Sequence, residues 1–159
     1  KEEQQFRQWW LWLILLSLNA GFFYGLYQQL VLGKPFGSKP MENIPLVLVS
    51  VVLVVVLVMF YKSRLQTVIT ADGVFVRLFP LQFTYRQFSW NDISKAYVRE
   101  YQPLIEYGGW GMRGFGNSRA LTTSGKNGLQ LELGNGKRLL IGTQEPEAIR
   151  QVLNMLQKG

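Results

Sequence analysis

Hydrophobic residues recur along this chain with three different rhythms. From Ile44 to Tyr61 the run IPLVLVSVVLVVVLVMFY contains no charge and is dominated by Val and Leu, so it is long enough to cross a bilayer core of roughly 30 Å as a helix. A buried strand is the poorer reading, because strands seldom exceed roughly ten residues. The earlier stretch WWLWLILLSLNAGFFYGLYQQLVL, Trp9 to Leu32, is also free of charge and carries Trp9, Trp10 and Trp12 at one end and Tyr24 and Tyr27 toward the other. Aromatic ends suit a membrane interface. A signal peptide would have a shorter apolar core followed by a small-residue cleavage site, whereas GKPFGSKPMEN and a second span follow here. The pattern predicts a transmembrane helical hairpin over residues 1–64, with spans at about 9–32 and 44–61.

After Arg64 the period shortens to two. LQTVITADGVFVRLFP holds two β-rich runs separated by Asp72-Gly73, a dipeptide suited to a tight hairpin turn. Phe83 and Tyr85 then alternate with Thr84 and Arg86. The pattern breaks at Trp90-Asn91-Asp92 and resumes with Ala96 and Val98 against Tyr97, Arg99 and Tyr101; further strands are expected from about Arg119. In GLQLELGNGKRLLIGT, Leu129, Leu131 and Leu133 alternate with Gln130 and Glu132, Gly134-Asn135-Gly136 turns the chain, and Leu139 and Ile141 return. One face of that hairpin is dry and the other wet. The third rhythm is helical: in TQEPEAIRQVLNMLQKG, Thr143 can cap, Glu145 and Glu147 suit the positive end, and Ile149, Val152, Leu153 and Leu156 form an apolar stripe, with Gly159 as a stop. The expected class is α+β, with about six or seven short antiparallel strands and a C-terminal amphipathic helix over residues 65–159.

Charge orients the hairpin. Lys1 and Arg7 precede the first span and Lys62 and Arg64 follow the second, against Lys34 and Lys39 in the connecting loop. The positive-inside rule therefore puts both termini in the cytoplasm. From Lys62 onward 13 basic residues stand against 7 acidic ones, so this part carries +6 of the chain's +7. Anionic lipid is an expected partner for a basic domain tethered beside a membrane, with Lys62 and Arg64 as candidate headgroup contacts; simple solubility is the alternative use of the charge. The chain contains no Cys and no His, which removes thiolate nucleophiles, Ser-His-Asp relays and ordinary zinc sites. Asp92, Glu100 and Glu106 are the acids near the central strands, but no spacing recommends them as a catalytic set, and Glu106 beside Tyr107 reads as a solvated loop charge. No catalytic residue, cofactor, metal or nucleic-acid partner is expected. The first residue is Lys1 rather than Met, which hints at a trimmed or disordered start.

The order of two apolar spans, DGVFVRLFP, FSWNDISKAYV, further strands and a closing helix resembles bacterial membrane proteins with a pleckstrin-homology-like (PH-like) domain. YQPLIEYGGWGMRGFG followed by GLQLELGNGKRLLIGTQEPEAI is similar to a largely uncharacterised group with a Gly-Gly-Trp-Gly segment. The resemblance covers nearly the whole chain. It implies a PH-like antiparallel β-sandwich or barrel plugged by the C-terminal helix, in the bacterial inner (cytoplasmic) membrane. Phosphoinositide-binding PH domains place several bases around the first hairpin; here that tip holds Ala71, Asp72 and Gly73, with Arg77 the nearest cation downstream.

Two surfaces are candidates for protein partners. In YGGWGMRGFG, Gly108, Gly109, Gly111, Gly114 and Gly116 allow left-handed backbone and close approach, while Trp110 and Arg113, beside Tyr107, are residue types that anchor interfaces. The competing reading is a bulge between strands with Trp110 over the domain's own core. In the first span Ser17, Gly21 and Gly25 recur every four residues and could admit a neighbouring helix, either a partner's or the second span near Ser50, with Asn19 nearby as a donor. The expected function is a non-enzymatic accessory or assembly subunit of a membrane complex; the alternative is a lipid-binding sensor at the membrane surface.

Overall fold

A computed structural model of the chain describes residues 1–114 and 116–158; Phe115, inside the glycine-rich segment, and Gly159, the expected stop signal, lie outside the described residues. The chain divides into two compact units, Gln8–Lys62 and a second made of Lys1–Arg7 with Ser63–Gly159.

The first unit is a pair of helices. Helix α1, Trp9–Leu26, continues through a π-helical turn, Tyr27–Val31, and helix α2 covers Asn43–Lys62. Both are long and apolar enough to cross a membrane, and only 17% and 11% of their most apolar windows are buried, unlike the core helix of a soluble protein. Leu15 and Asn19 of α1 and Leu46 and Ser50 of α2 are buried. The two polar side chains donate back to their own helices, Asn19 Nδ2 to Leu15 O at 2.8 Å and Ser50 Oγ to Leu46 O at 2.8 Å. At one end Trp12 meets Tyr61 edge to face at 6.4 Å. At the other, Gln29 Nε2 donates to Met41 O and Asn43 Oδ1 and so ties the π turn to the start of α2.

The second unit carries two sheets. Sheet one has the order β1-β2-β3-β4, built from Glu2–Gln5, Arg64–Ile69, Gly73–Phe79 and Arg86–Ser89, all antiparallel. Sheet two has the order β5-β8-β9-β7-β6, built from Ile93–Glu100 (β5), Gly111–Arg113 (β6), Ser118–Thr122 (β7), Asn127–Leu133 (β8) and Arg138–Thr143 (β9). Helix α3, Pro103–Tyr107, lies between β5 and β6, and helix α4, Pro146–Met155, ends the order. The alternation read from sequence sets the core: Leu65, Val74, Val76 and Leu78 from sheet one join Leu129, Leu131, Leu139 and Ile141 from sheet two, and Ile149 and Leu153 of α4 close it. Each such side chain contributes about 1.5–3 kcal/mol by leaving water.

The structure departs from the sequence reading in five places. Residues 2–5, grouped above with the hairpin, form β1, because Glu2–Gln5 pair with Thr67–Arg64 of β2. There are nine strands among the described residues, and β7 runs parallel to β9, so the second sheet is mixed rather than antiparallel. Phe83 and Tyr85 precede β4 instead of belonging to a strand, and both are exposed. The first hairpin turn is held by Thr70, whose Oγ1 accepts from Asp72 N at 3.2 Å, and Gly73 already opens β3, where an added Cβ would lie 2.3 Å from Phe88 O. Thr143 does not cap α4: it is the buried end of β9, and its Oγ1 accepts from Glu145 N, one residue before the helix.

Candidate functional site

The glycine-rich segment is built from local rules that its residues satisfy one by one. Pro103 starts α3, where its missing N–H costs nothing. Glu106 reaches back so that Oε1 accepts from Gln102 N at 2.8 Å. Gly108 ends the helix in the left-handed region, φ 69°, with its N–H on Leu104 O and that of Gly109 on Pro103 O. The chain then turns through Gly109-Trp110 into β6, which pairs with β7 and forms the outer edge of sheet two.

Charged and aromatic groups brace this corner. Arg99 Nη2 meets Glu106 Oε2 at 2.8 Å, and Arg99 Nε donates to the buried Gln130 Oε1 at 3.1 Å. The guanidinium holds the Glu106 carboxyl below the usual carboxylate range, and the carboxylate in turn raises Arg99. Glu106 is exposed, as expected of a solvated charge, but it lies on α3 rather than in a loop and is also the ion-pair partner of Arg99. Tyr101 is buried, stands edge to face with Tyr107 at 6.2 Å, and has its phenol pushed up to about 12 by burial. Tyr107 packs on the small cluster of Tyr101, Ala120 and Leu140.

Trp110 Nε1 donates to Gly125 O at 3.1 Å, which pins the half-buried indole, yet its ring lines an open groove of about 500 Å³ with Leu104, Ile105, Tyr101 and Lys126. Arg113 is exposed, and its Nε donates to Trp110 O at 3.2 Å. Leu104 and Ile105 of α3 are 68% and 81% exposed, and Met112 of the edge strand β6 is 43% exposed.

The structure joins Trp110 to Arg113, packs Tyr107 on Tyr101 instead, and separates the small residues of α1. Ser17 and Gly21 are exposed, on the side of the helix away from the buried Leu15 and Asn19, and a Cβ on Gly21 would meet nothing within 4 Å. Gly25 is buried for another reason: a Cβ there would lie 2.7 Å from the ring of Phe36. Lys62 is exposed at the end of α2, whereas Arg64 Nη1 is paired with Glu3 Oε1 at 2.6 Å across β1 and β2.

Sequence reasoning missed that network. Glu3 Oε2 accepts from Gln66 Nε2, and Gln66 Oε1 accepts from Arg77 and from Tyr85 OH, so one carboxylate and one amide order two guanidiniums on the face of sheet one. Arg77 also lies 4.5 Å from the centre of the Tyr85 ring. The partners Arg64 and Glu3 are 61 positions apart, and no local pattern could have joined them.

No curated protein and no solved structure matches the chain. A protein-family model matches residues 2–156, from β1 through both helices and both sheets to the end of α4. The chain thus belongs to the family of unknown function DUF6141.

Proposed function

We propose that this protein is a non-enzymatic integral membrane protein whose helical pair anchors it in the bacterial inner membrane and whose β unit is a PH-like module that docks onto another subunit of a membrane complex. The PH-like reading is supported by the strand plan. Sheet one supplies four strands, β5, β8 and β9 supply an antiparallel three, and α4 packs its apolar stripe into the core between them. On this reading α3, β6 and β7 are an insertion between β5 and β8 that extends the second sheet beyond β9.

The observation that carries docking is the exposed apolar pair Leu104-Ile105 on a braced segment that leads in the chain to the edge strand β6. An edge strand offers unpaired N–H and C=O groups, so an extended segment of a partner can add a strand while its apolar side chains cover the groove. Arg113 favours a carboxylate on that segment, and a pinned Trp110 limits the entropy lost on binding.

The test is affinity purification of the tagged full-length protein from its own membranes in mild detergent. Replacing Leu104 and Ile105 together by Ser is expected to lower recovery of the partner at least tenfold with an unchanged thermal melt, since both side chains already face solvent. A partner retained at full yield by that variant would remove the docking reading.

A further inference from the structure

The described cations of the β unit differ in their partners: Arg77 and Arg113 donate to neutral oxygens, of Gln66 and of Trp110. Arg64, Arg99 and Arg150 are in ion pairs with Glu3, Glu106 and Glu147. Arg86, Arg119, Lys137 and Arg138 make neither an ion pair nor a side-chain hydrogen bond with any described residue, yet all four line one open cleft of about 420 Å³. No acid lines that cleft; its remaining walls are apolar or neutral, Phe88 and Asn117 among them.

Four separate elements deliver the charges. Arg86 begins β4, the outer strand of sheet one. Arg119 lies on β7, Lys137 in the β8–β9 turn and Arg138 at the start of β9. The parallel pairing of β7 with β9 is what makes them neighbours: Ser118 is in register with Arg138 and Arg119 with Leu139. Arg138 N donates to Asn117 O at 2.6 Å, and Lys137 N donates to Asn135 Oδ1 at 3.1 Å, so the backbone under the cleft is tied down on both sides. Glu132 stands opposite Arg138 in the β8–β9 ladder but accepts from Tyr97 OH at 3.0 Å and forms no ion pair with it. Collecting like charges costs folding free energy through mutual repulsion, and an anion in the cleft would reverse the sign of that term.

We infer that this cleft is an anion site for a phosphate group of two or more negative charges. Three guanidiniums favour planar, paired donation to phosphate oxygens, the lysine adds a point charge, and Phe88 offers an apolar wall for whatever carries the phosphate. The site is distinct from the first-hairpin position of phosphoinositide-binding PH domains and from the β6 edge. The phosphate can belong to a lipid headgroup or to a soluble phosphorylated compound.

The experiment uses the full chain in nanodiscs of neutral phosphatidylcholine, titrated with inositol hexakisphosphate and with inorganic pyrophosphate by calorimetry at fixed salt. The Arg119→Gln/Lys137→Gln variant is expected to bind at least tenfold more weakly, while Lys126→Gln/Lys158→Gln, which removes the same charge elsewhere, changes affinity less than twofold. Equal loss in both variants would mean diffuse charge attraction and overturn the site, as would the absence of binding by the unaltered chain. Repeating the titration in nanodiscs containing phosphatidic acid, whose headgroup is a phosphomonoester, separates the sources. Anionic lipid that weakens the soluble probe for the unaltered chain by a larger factor than for the Arg119→Gln/Lys137→Gln variant identifies the headgroup as occupant; the same factor in both identifies a soluble phosphate.

Discussion

At Gly114 the requirement for glycine is twofold. Its φ is 106°, a region that side chains rarely enter, and a Cβ there would lie 2.2 Å from Ser118 O and 2.8 Å from Arg119 Cα, both backbone atoms that cannot swing aside. Gly114→Ala is expected to destabilise the β unit by about 2 kcal/mol or more, seen as a lower melting temperature in near-UV circular dichroism. Gly33→Ala is the contrasting variant, because its φ is 66° and nothing lies within 4 Å of the added carbon; its cost should be about half that or less. A melt for Gly114→Ala no lower than for Gly33→Ala would contradict this account. The five glycines from Gly108 to Gly116 all take positive φ, so the freedom that the sequence advertises is used in full. Which purpose it serves was not legible there: whether Gly114 shapes a turn or receives a partner depends on Ser118 O, and that atom's position is set by the β7–β9 pairing.

Among the elements, β1 was the least visible before the structure. Lys1-Glu2-Glu3-Gln4-Gln5 has no apolar residue and no alternation, so nothing in it predicts a strand; it becomes one because β2 offers an edge and because its side chains find fixed partners. Gln4 is 2% exposed, donates to Gly142 O at 2.7 Å and accepts from Thr123 Oγ1 at 3.1 Å. Glu2 accepts from Thr143 Oγ1 at 2.8 Å and from Gln144 N at 2.7 Å. Strand β1 of sheet one is thereby bonded to the end of β9 in sheet two. Replacing Gln4 by Ala removes two buried hydrogen bonds and leaves a gap between the sheets, and a loss of about 1–3 kcal/mol is expected in chemical denaturation of the detergent-solubilised chain; a loss below about 0.5 kcal/mol would show that β1 is an ornament on the sheet. Elements with a strong local pattern were legible: α2 from its uncharged apolar run, and strands β2 and β3, the β8–β9 hairpin and α4 from their periods, because each pattern reports a local geometry. The short α3–β6 unit has too few residues to show any period.

For the whole molecule, the consequence of β1 is topological. Gln5 is in register with Arg64, so the chain leaves the β unit at Arg7 and returns to it at Ser63 from adjacent strands; the orientation we propose is a hairpin with both ends on one membrane face. With Lys1, Arg7, Lys62 and Arg64 at those ends, that face is expected to be the cytoplasmic one. These 159 residues contain no cysteine, so single replacements report cleanly: Ser38→Cys in the interhelical loop should react with a membrane-impermeant maleimide in intact spheroplasts, and Gln151→Cys in α4 only after permeabilisation. Labelling of both before permeabilisation, or of Gln151→Cys alone, would reject this orientation. By itself the sequence determined the two apolar helices, the class of the β unit, the closing helix and the absence of thiol and imidazole chemistry, since runs, periods and composition are properties of neighbouring residues. Only the tertiary structure decided that Lys1–Arg7 belongs with the sheets, that Arg64 is neutralised by Glu3, and that β7 lies parallel to β9 with four cations gathered at one cleft. Those outcomes depend on pairings between distant segments, and the free energy that selects them comes from burial and hydrogen bonds that exist only after the sheets have assembled.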